Sequence, residues 1–247
     1  MADYPLNPSS KSPLHVQIAD YIRRKVYDLE WGAGEAIPSE HELMRLFGVS
    51  RGTVQKGIKS LVAEGLLEQT RGKGTFVTQP VLQYTMSNSL LSYAESLRLQ
   101  NVDFHTDVLE STIMPADHAC SQALNVPLNA PVLKLHRLRS TEKEPIILME
   151  SRVNLLACPG LDEVDFTKET LFSAMERASG RKIGYAKVQY GARISGQKRS
   201  EILQCHEGAP LLNIHQTVYL QNNVAVEWAN MWLPANKYIF TSVLQRV

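Results

Sequence analysis

Cysteine is scarce in this chain. Cys120, Cys158 and Cys205 are odd in number, lie far apart and include no C-x-x-C pair. That excludes a disulfide framework and a zinc knuckle, and it fits a reducing cytoplasm. No apolar run approaches the roughly 18 residues that a membrane-crossing helix needs. The start Met1-Ala2-Asp3-Tyr4-Pro5 lacks the basic-then-apolar order of a signal peptide. Internal repeats and low-complexity tracts are also missing. A dominant charge is missing too, because 26 Lys and Arg stand against 25 Asp and Glu for a net +1. Any partner that needs a basic surface must therefore meet a local patch. What the chain does have is 247 residues, 44% of them apolar. That is enough for one large or two medium domains and excludes a disordered tail.

Residues 1–12 are rich in Pro, Ser and Asn and are expected to form a loose arm ending at Pro13. From Leu14 the apolar residues Ile18, Ile22, Val26 and Leu29 recur at helical spacing, with Pro13 tolerated in the first turn. Trp31-Gly32-Ala33-Gly34 breaks that helix. Ser39 followed by Glu42 is a capping box for a second, short helix to about Leu46. Phe47-Gly48-Val49 is a tight connection, and Ser50 caps a third helix with Val54, Ile58, Leu61 and Val62 on its inner stripe, ended by Gly65. Two helices across a short Gly-containing turn are a helix-turn-helix candidate. The strand-like Leu66–Thr70 and Thr75–Thr78, joined through Arg71-Gly72-Lys73-Gly74, add a hairpin with a basic tip. Together these elements describe a winged helix over residues 13–78.

Residues 79–88 are polar, uncharged and without periodicity, and are expected to be a linker. Beyond them, over 89–247, strand patterns at Val132–Leu138, Pro145–Val153, Ala186–Ile194, Leu211–Leu220 and Val224–Trp232 follow one another with occasional helices. Those helices fall near Leu90–Leu99, His118–Leu124, Thr170–Ala178 and Ser200–Cys205. This order predicts an α+β fold whose second domain is mainly antiparallel.

Charge is polarised within the first domain. Up to Leu43, four basic residues face seven acidic ones. From Met44 to Thr78, Arg45, Arg51, Lys56, Lys59, Arg71 and Lys73 face only Glu64 and Glu68. Projecting the third helix at about 100° per residue turns Gly52, Gln55, Lys56 and Lys59 outward. Arg51 falls at the angle of Ile58 and reaches outward only because it sits in the first turn. An Arg there can hold a guanine edge or a phosphate, and Gln55 suits adenine. Lys56 and Lys59 suit phosphates, and Gly72 and Gly74 let the wing backbone approach DNA. An ordinary solvated basic face is the alternative for the helix alone. The ordered cap, turn, helix and wing weigh against it.

Pro13-Leu14 with Gln17-Ile18, Ile37-Pro38-Ser39-Glu40, Phe47-Gly48-Val49-Ser50-Arg51 with Thr53-Val54, Leu61 with Glu64-Gly65-Leu66, and Gly72-Lys73-Gly74-Thr75-Phe76-Val77 resemble the N-terminal signature of GntR-type bacterial transcription regulators. The resemblance implies DNA contacts for Arg51, Thr53, Gly72 and Gly74. With the residues around them, the candidate DNA-contacting set is Ser39, Glu40, His41, Ser50, Arg51, Thr53, Gln55, Lys56, Lys59, Arg71, Gly72, Lys73 and Gly74. Three positions depart from the pattern: His41 and Gln55 stand where the family often has Arg, and Gly57 where it usually has Ala. These departures put the operator sequence in question, not the DNA-binding role.

The remainder resembles the UTRA effector-binding domain of the HutC subfamily, whose fold is similar to chorismate lyase. The carriers are Leu135-His136-Arg137-Leu138-Arg139, Pro145-Ile146 with Glu150-Ser151-Arg152-Val153-Asn154, Asp165-Phe166-Thr167, Glu207-Gly208-Ala209-Pro210-Leu211-Leu212, and Val226-Glu227 with Tyr238-Ile239-Phe240. Family members with an Arg-x-Arg strand often bind sugar phosphates, whereas Arg152-x-Asn154 and Asp165-Phe166-Thr167 match histidine-utilisation regulators, which sense a carboxylate. Two apart on a strand, Arg137 and Arg139 share a face and can converge on one anion. Ser92 can add a hydroxyl, Glu150 and Glu227 can accept sugar hydroxyls or an ammonium, and Tyr185 and Tyr190 are possible pocket walls. A structural network of Arg137 and Arg139 with Glu150 and Glu227 is the alternative. Trp228 and Trp232 read as core or dimer packing.

An enzyme on this fold would need a catalytic set. Cys205-His206 cannot form a nucleophile–base dyad, because adjacent residues diverge on strand and helix alike. The histidines show no metal-ligand spacing. The expectation is therefore a cytoplasmic, homodimeric, ligand-responsive repressor without a cofactor. It binds a pseudo-palindromic operator in double-stranded DNA and is released by a small anionic metabolite, with a phosphorylated sugar favoured over a carboxylate.

Overall fold

A computed structural model describes residues 6–7, 10, 12–78, 82–86, 90–142 and 144–242. The chain divides between residues 81 and 82 into two compact units. Within the first unit the helices are α1 (Leu14–Tyr27), α2 (Glu40–Phe47) and α3 (Arg51–Ala63), followed by strands β1 (Leu67–Thr70) and β2 (Gly74–Val77). The Ser39 hydroxyl accepts from the Glu42 N–H while the Glu42 side chain returns to the Ser39 N–H, completing the expected capping box. Gly48 closes α2 in the left-handed region at φ +65, a conformation that costs glycine little. Ile18, Ile22, Leu43, Val54, Ile58 and Leu61 meet in the core, each contributing about 1.5–3 kcal/mol by leaving water.

Two features of this unit correct the sequence reading. The Trp31–Gly34 break leads into a segment that docks on the wing by an isolated bridge: Ala36 bridges Phe76, and the Ile37 and Val77 N–H groups donate to Thr75 and Glu35 carbonyls. The expected loose arm is also tied down in its described part. The buried Gln17 amide accepts from the Asn7 N–H at 2.8 Å and donates to the Asn7 and Ser12 carbonyls, and Leu6 packs on the core. Residues 1–5, 8–9 and 11 of that arm lie outside the described residues.

The second unit comprises β3 (Leu82–Met86), α4 (Tyr93–Leu99), β4 (His105–Pro115), α5 (His118–Leu124), β5 (Pro131–Ser140), β6 (Pro145–Asn154), α6 (Leu171–Ser179), β7 (Ile183–Ile194), α7 (Gln197–Leu203), β8 (Pro210–Leu220), β9 (Ala225–Pro234) and β10 (Tyr238–Ser242). Six strands form one antiparallel sheet in the order β4-β5-β6-β9-β8-β7, and β3 pairs with β10 in parallel. The expected linker is thus corrected over residues 82–86, where a partner strand about 150 positions away, invisible to local pattern, recruits it. Residues 79–81 and 87–88 lie outside the described residues.

Apolar clusters cover both faces of the sheet. On one face, α6 packs with Leu133, Leu135 and Val153, while Leu82, Leu97 of α4 and Tyr238 pack with Ile147, Met149, Ile214 and Met231. The opposite face carries α5 against Val132 and Trp228, and Leu203 of α7 against Leu148 and Trp232.

Gly57 marks a close approach of α1 and α3. A Cβ placed there would lie 2.8 Å from the His15 carbonyl oxygen and 3.3 Å from Ile18 Cγ2, so α1 and α3 touch backbone to helix face. Gly57→Ala gains helix propensity of about 1 kcal/mol but forces the helices apart at about 1–3 kcal/mol. The expected outcome is a net loss of about 1 kcal/mol, read by denaturant titration. A gain in stability would contradict the close approach.

Candidate functional site

In the first unit the two short helices and the wing bring their chemistry to one surface. Ser50 caps α3 by accepting from the Thr53 N–H, and its hydroxyl lies 2.9 Å from that of Thr53. Glu40, at the start of α2, accepts from Arg51 Nε at 2.8 Å and from Gln55 Nε2 at 3.0 Å. One carboxylate therefore orients both the Arg and the amide that the sequence singles out for base edges. Arg51, Lys56 and Lys59 are exposed, as is His41. Arg71, Gly72 and Lys73 form an exposed turn closed by the Lys73 N–H on the Thr70 carbonyl, with Gly72 at φ +76 and Gly74 at φ +127. Ser39 and Glu40 share a shallow depression with Arg71, Gly72 and Gly74. Apart from Glu40, the cations dominate this face, which suits a polyanion.

In the second unit, strand alternation on β5 places Arg137 and Arg139 on the same face, pointing between the α6 cluster and the α4 cluster. Both are buried, at 5% and 4% exposure. The cavity they enter is small, about 40 Å³, room for a few water molecules. Ser92, the N-cap of α4, and Thr170, the N-cap of α6, stand at its rim. Met149, Ser151, Phe172, Gln216, Glu227 and Met231 line it as well.

The polar groups inside form a chain. Arg137 Nη2 donates to Ser151 Oγ at 3.3 Å, Ser151 Oγ donates to Glu227 Oε1 at 2.6 Å, and Gln216 Nε2 donates to Glu227 Oε2 at 3.2 Å. The Arg137 and Glu227 charges stand 3.9 Å apart. Arg139 Nε donates to Thr106 Oγ1 at 3.3 Å and its guanidinium lies 4.7 Å from the Phe104 ring centre. Burial lowers the pKa of Arg137, with Glu227 working against the shift. Burial, and then the like charge of Arg137, bring Arg139 down to about 9. Among the described residues, Arg137 Nε and the Tyr238 hydroxyl are buried with no hydrogen-bond partner. Burial pushes the Tyr238 hydroxyl up, so it keeps its proton. An orphaned donor of this kind costs about 1–3 kcal/mol, and an anion's oxygen relieves it.

Of the residues expected around this anion, the structure brings Ser92, Arg137, Arg139 and Glu227 together. It does not bring in Glu150 or Tyr185. Glu150 is one residue out of phase with Ser151 and points to the opposite face, where it accepts from Trp232 Nε1 at 2.8 Å beneath Arg199, whose guanidinium lies 3.7 Å from the Trp232 ring centre. Tyr185, on the edge strand β7, stacks on Tyr219 at 4.7 Å. Tyr190 meets Phe240 at 5.7 Å. Sequence reasoning missed Ser151 and Gln216. Ser151 was within reach, since it shares the period-2 face of Val153; Gln216 joins only through the β8–β9 register, which sets it opposite Ala229. Burial raises the Cys205 thiol above its ordinary value, which works against a nucleophilic thiolate.

Comparison with known proteins agrees with both units. The family of bacterial regulatory proteins named gntR matches residues 14–77, and the UTRA domain matches residues 99–239. The chain is 26% identical over 242 residues to the HTH-type transcriptional repressor NagR of Bacillus subtilis, covering 98% of this chain and 99% of the relative. It is 29% identical over 234 residues to the mannosyl-D-glycerate transport/metabolism system repressor MngR of Escherichia coli, covering 95% and 97%. It is 25% identical to the histidine utilization repressor of Klebsiella aerogenes, covering 93% and 94%. Among solved structures, PhnF from Mycobacterium smegmatis superposes with a TM-score of 0.63 at 22% identity, over 92% of this chain and 99% of that one, and shares its fold. The winged helix-turn-helix, the antiparallel second unit and these matches together establish that the chain belongs to the GntR family of bacterial transcription regulators and carries a UTRA domain.

Proposed function

We propose that this regulator is a homodimeric repressor acting in the cytoplasm, which binds a pseudo-palindromic operator and is released by a small anionic, sugar-related metabolite held in the cavity of the second unit. The observation that carries the effector reading is the uncompensated charge: of the two buried guanidinium groups, Arg137 lies 3.9 Å from the Glu227 carboxylate and Arg139 has no such partner among the described residues, where Arg137 Nε and the Tyr238 hydroxyl also lack hydrogen-bond partners. An anion binding across Arg137, Arg139, Ser92 and the α6 N-terminus supplies the missing acceptors. A phosphorylated sugar, favoured by the Arg-x-Arg resemblance, and a sugar carboxylate both fit. One relative is named for mannosyl-D-glycerate, which carries a carboxylate.

DNA recognition is assigned to Arg51 and Gln55 for bases, to Lys56, Lys59, Arg71 and Lys73 for phosphates, and to Gly72 and Gly74 for close backbone approach. Ser39, His41, Ser50 and Thr53 complete the surface, with Glu40 holding the two readers. Release follows linkage: the effector favours a conformation that fits the operator less well, and DNA affinity falls by the effector's differential affinity for the two states.

Two measurements test this. Arg51→Ala should weaken operator binding by about 1–3 kcal/mol, followed by fluorescence anisotropy over a series of salt concentrations. An unchanged affinity and salt slope would remove Arg51 from the interface. Arg139→Met keeps an apolar contact with Phe104 and removes an uncompensated buried charge. The unliganded protein should gain about 1–3 kcal/mol of stability and lose its response to effector. A less stable variant that still responds would favour a structural role for Arg139.

A further inference from the structure

The charge of the effector is encoded in the cavity that the proposed function assigns to it, and the inference rests on that assignment. Among the described residues that line the cavity, the Lys, Arg, Asp and Glu side chains are Arg137, Arg139 and Glu227, with exposures of 5%, 4% and 3%. Residues 83–89 add no Asp, Glu, Lys or Arg. Arg98 of α4 lies close enough to disfavour the charge on Arg139, but it is exposed to water and is screened there. The charged side chains lining the interior therefore sum to one net positive charge, with the N-terminus of α6 adding its partial positive end in every variant alike.

Glu227 is already engaged within the protein. Its Oε1 is taken by the Ser151 hydroxyl at 2.6 Å and its Oε2 by the Gln216 amide at 3.2 Å, and it faces Arg137 at 3.9 Å. It is a fixed internal counter-ion. Such a group changes which ligand charge fits best, because the attraction between site and ligand grows linearly with ligand charge. The cost of stripping water from the ligand grows roughly as its square. In a site of one net positive charge, a dianion doubles the attraction but about quadruples the desolvation.

We propose that Glu227 sets the charge class of the effector, so that the cavity takes a ligand with one net negative charge, that of a sugar carboxylate, in preference to the dianion of a sugar phosphate. Replacing Glu227 by the isosteric Gln leaves two net positive charges and keeps hydrogen-bonding groups toward Ser151 and Gln216. The gain in attraction is then twice as large for a dianion as for a monoanion, and the preference moves toward phosphate.

The test uses the full chain and two matched pairs of probes, D-glycerate with glycerol 3-phosphate and D-glucuronate with glucose 6-phosphate, titrated by calorimetry at about pH 8. Wild type should bind the carboxylate of a pair more tightly, and Glu227→Gln should shift the ratio of dissociation constants toward the phosphate by about tenfold or more. A second arm needs no variant. Between pH 7.5 and 5.5 a phosphate monoester passes through its second pKa, about 6, and becomes a monoanion. Its affinity for wild type, taken relative to the carboxylate, should rise. If the probes bind but the wild-type ratio favours phosphate, or falls with decreasing pH, or is unmoved in a folded Glu227→Gln, the charge assignment is overturned and the anion site stands. If no probe binds, the anion reading of the cavity falls, and this proposal falls with it.

Discussion

Arg137 and Arg139 stand two residues apart on β5 and are both shut away from water, and the organisation of the second unit follows from how that burial is tolerated. A guanidinium cannot shed its proton at neutral pH, so an apolar interior must supply acceptors or bear the cost. Here the supply is partial. Ser151, Glu227 and Gln216, drawn from three neighbouring strands, form a hydrogen-bonded chain that ends on one side of Arg137. Thr106 and the Phe104 ring serve Arg139. The antiparallel register makes this possible, because β5, β6, β9 and β8 lie side by side and present their alternate residues to one face. The apolar clusters on either side exclude water, and the capped starts of α4 and α6 stand at the opening between them.

The first unit rests on a different constraint, the close approach of α1 and α3 at Gly57. That contact lets a small core of Ile, Leu and Val hold three helices and a two-stranded wing together. The reading surface proposed for it depends on Glu40, whose carboxylate accepts from both Arg51 and Gln55. Preorganisation of this kind lowers the ordering cost of binding. A regulator needs both properties, a stiff reader and a sensor whose unliganded state carries an unmet electrostatic demand. The demand is what gives a ligand leverage, since only a ligand with a differential interaction can shift an equilibrium.

Much of the architecture was legible where the signal is local. Ser39 with Glu42, Gly48 at the end of α2 and the Gly-rich tip after Thr70 each announce a backbone requirement within a few residues. Period-2 alternation also placed Arg137 and Arg139 correctly on one face. The same rule shows why Glu150 was assigned to the cavity in error: it neighbours Ser151, and one position along a strand exchanges faces. What stayed hidden depends on distant pairing. β3 looks like polar linker until β10 is beside it. The edge strand β4 exposes residues on both faces, so its apolar alternation is weak. Tyr185 looked like a pocket wall, but its position on the other edge strand turns it to Tyr219. Orphaned groups such as Arg137 Nε and the Tyr238 hydroxyl have no sequence signature at all.

The central claim is that the buried positive charge on β5 is completed by a ligand. The most direct measurement is a crystal structure of the protein grown with D-glucuronate or glucose 6-phosphate. The account predicts an anionic oxygen within about 3 Å of the Arg137 or Arg139 guanidinium, with Arg137 Nε or the Tyr238 hydroxyl gaining a partner. A ligand bound elsewhere on the molecule, with the cavity unoccupied and those two groups still orphaned, would contradict it.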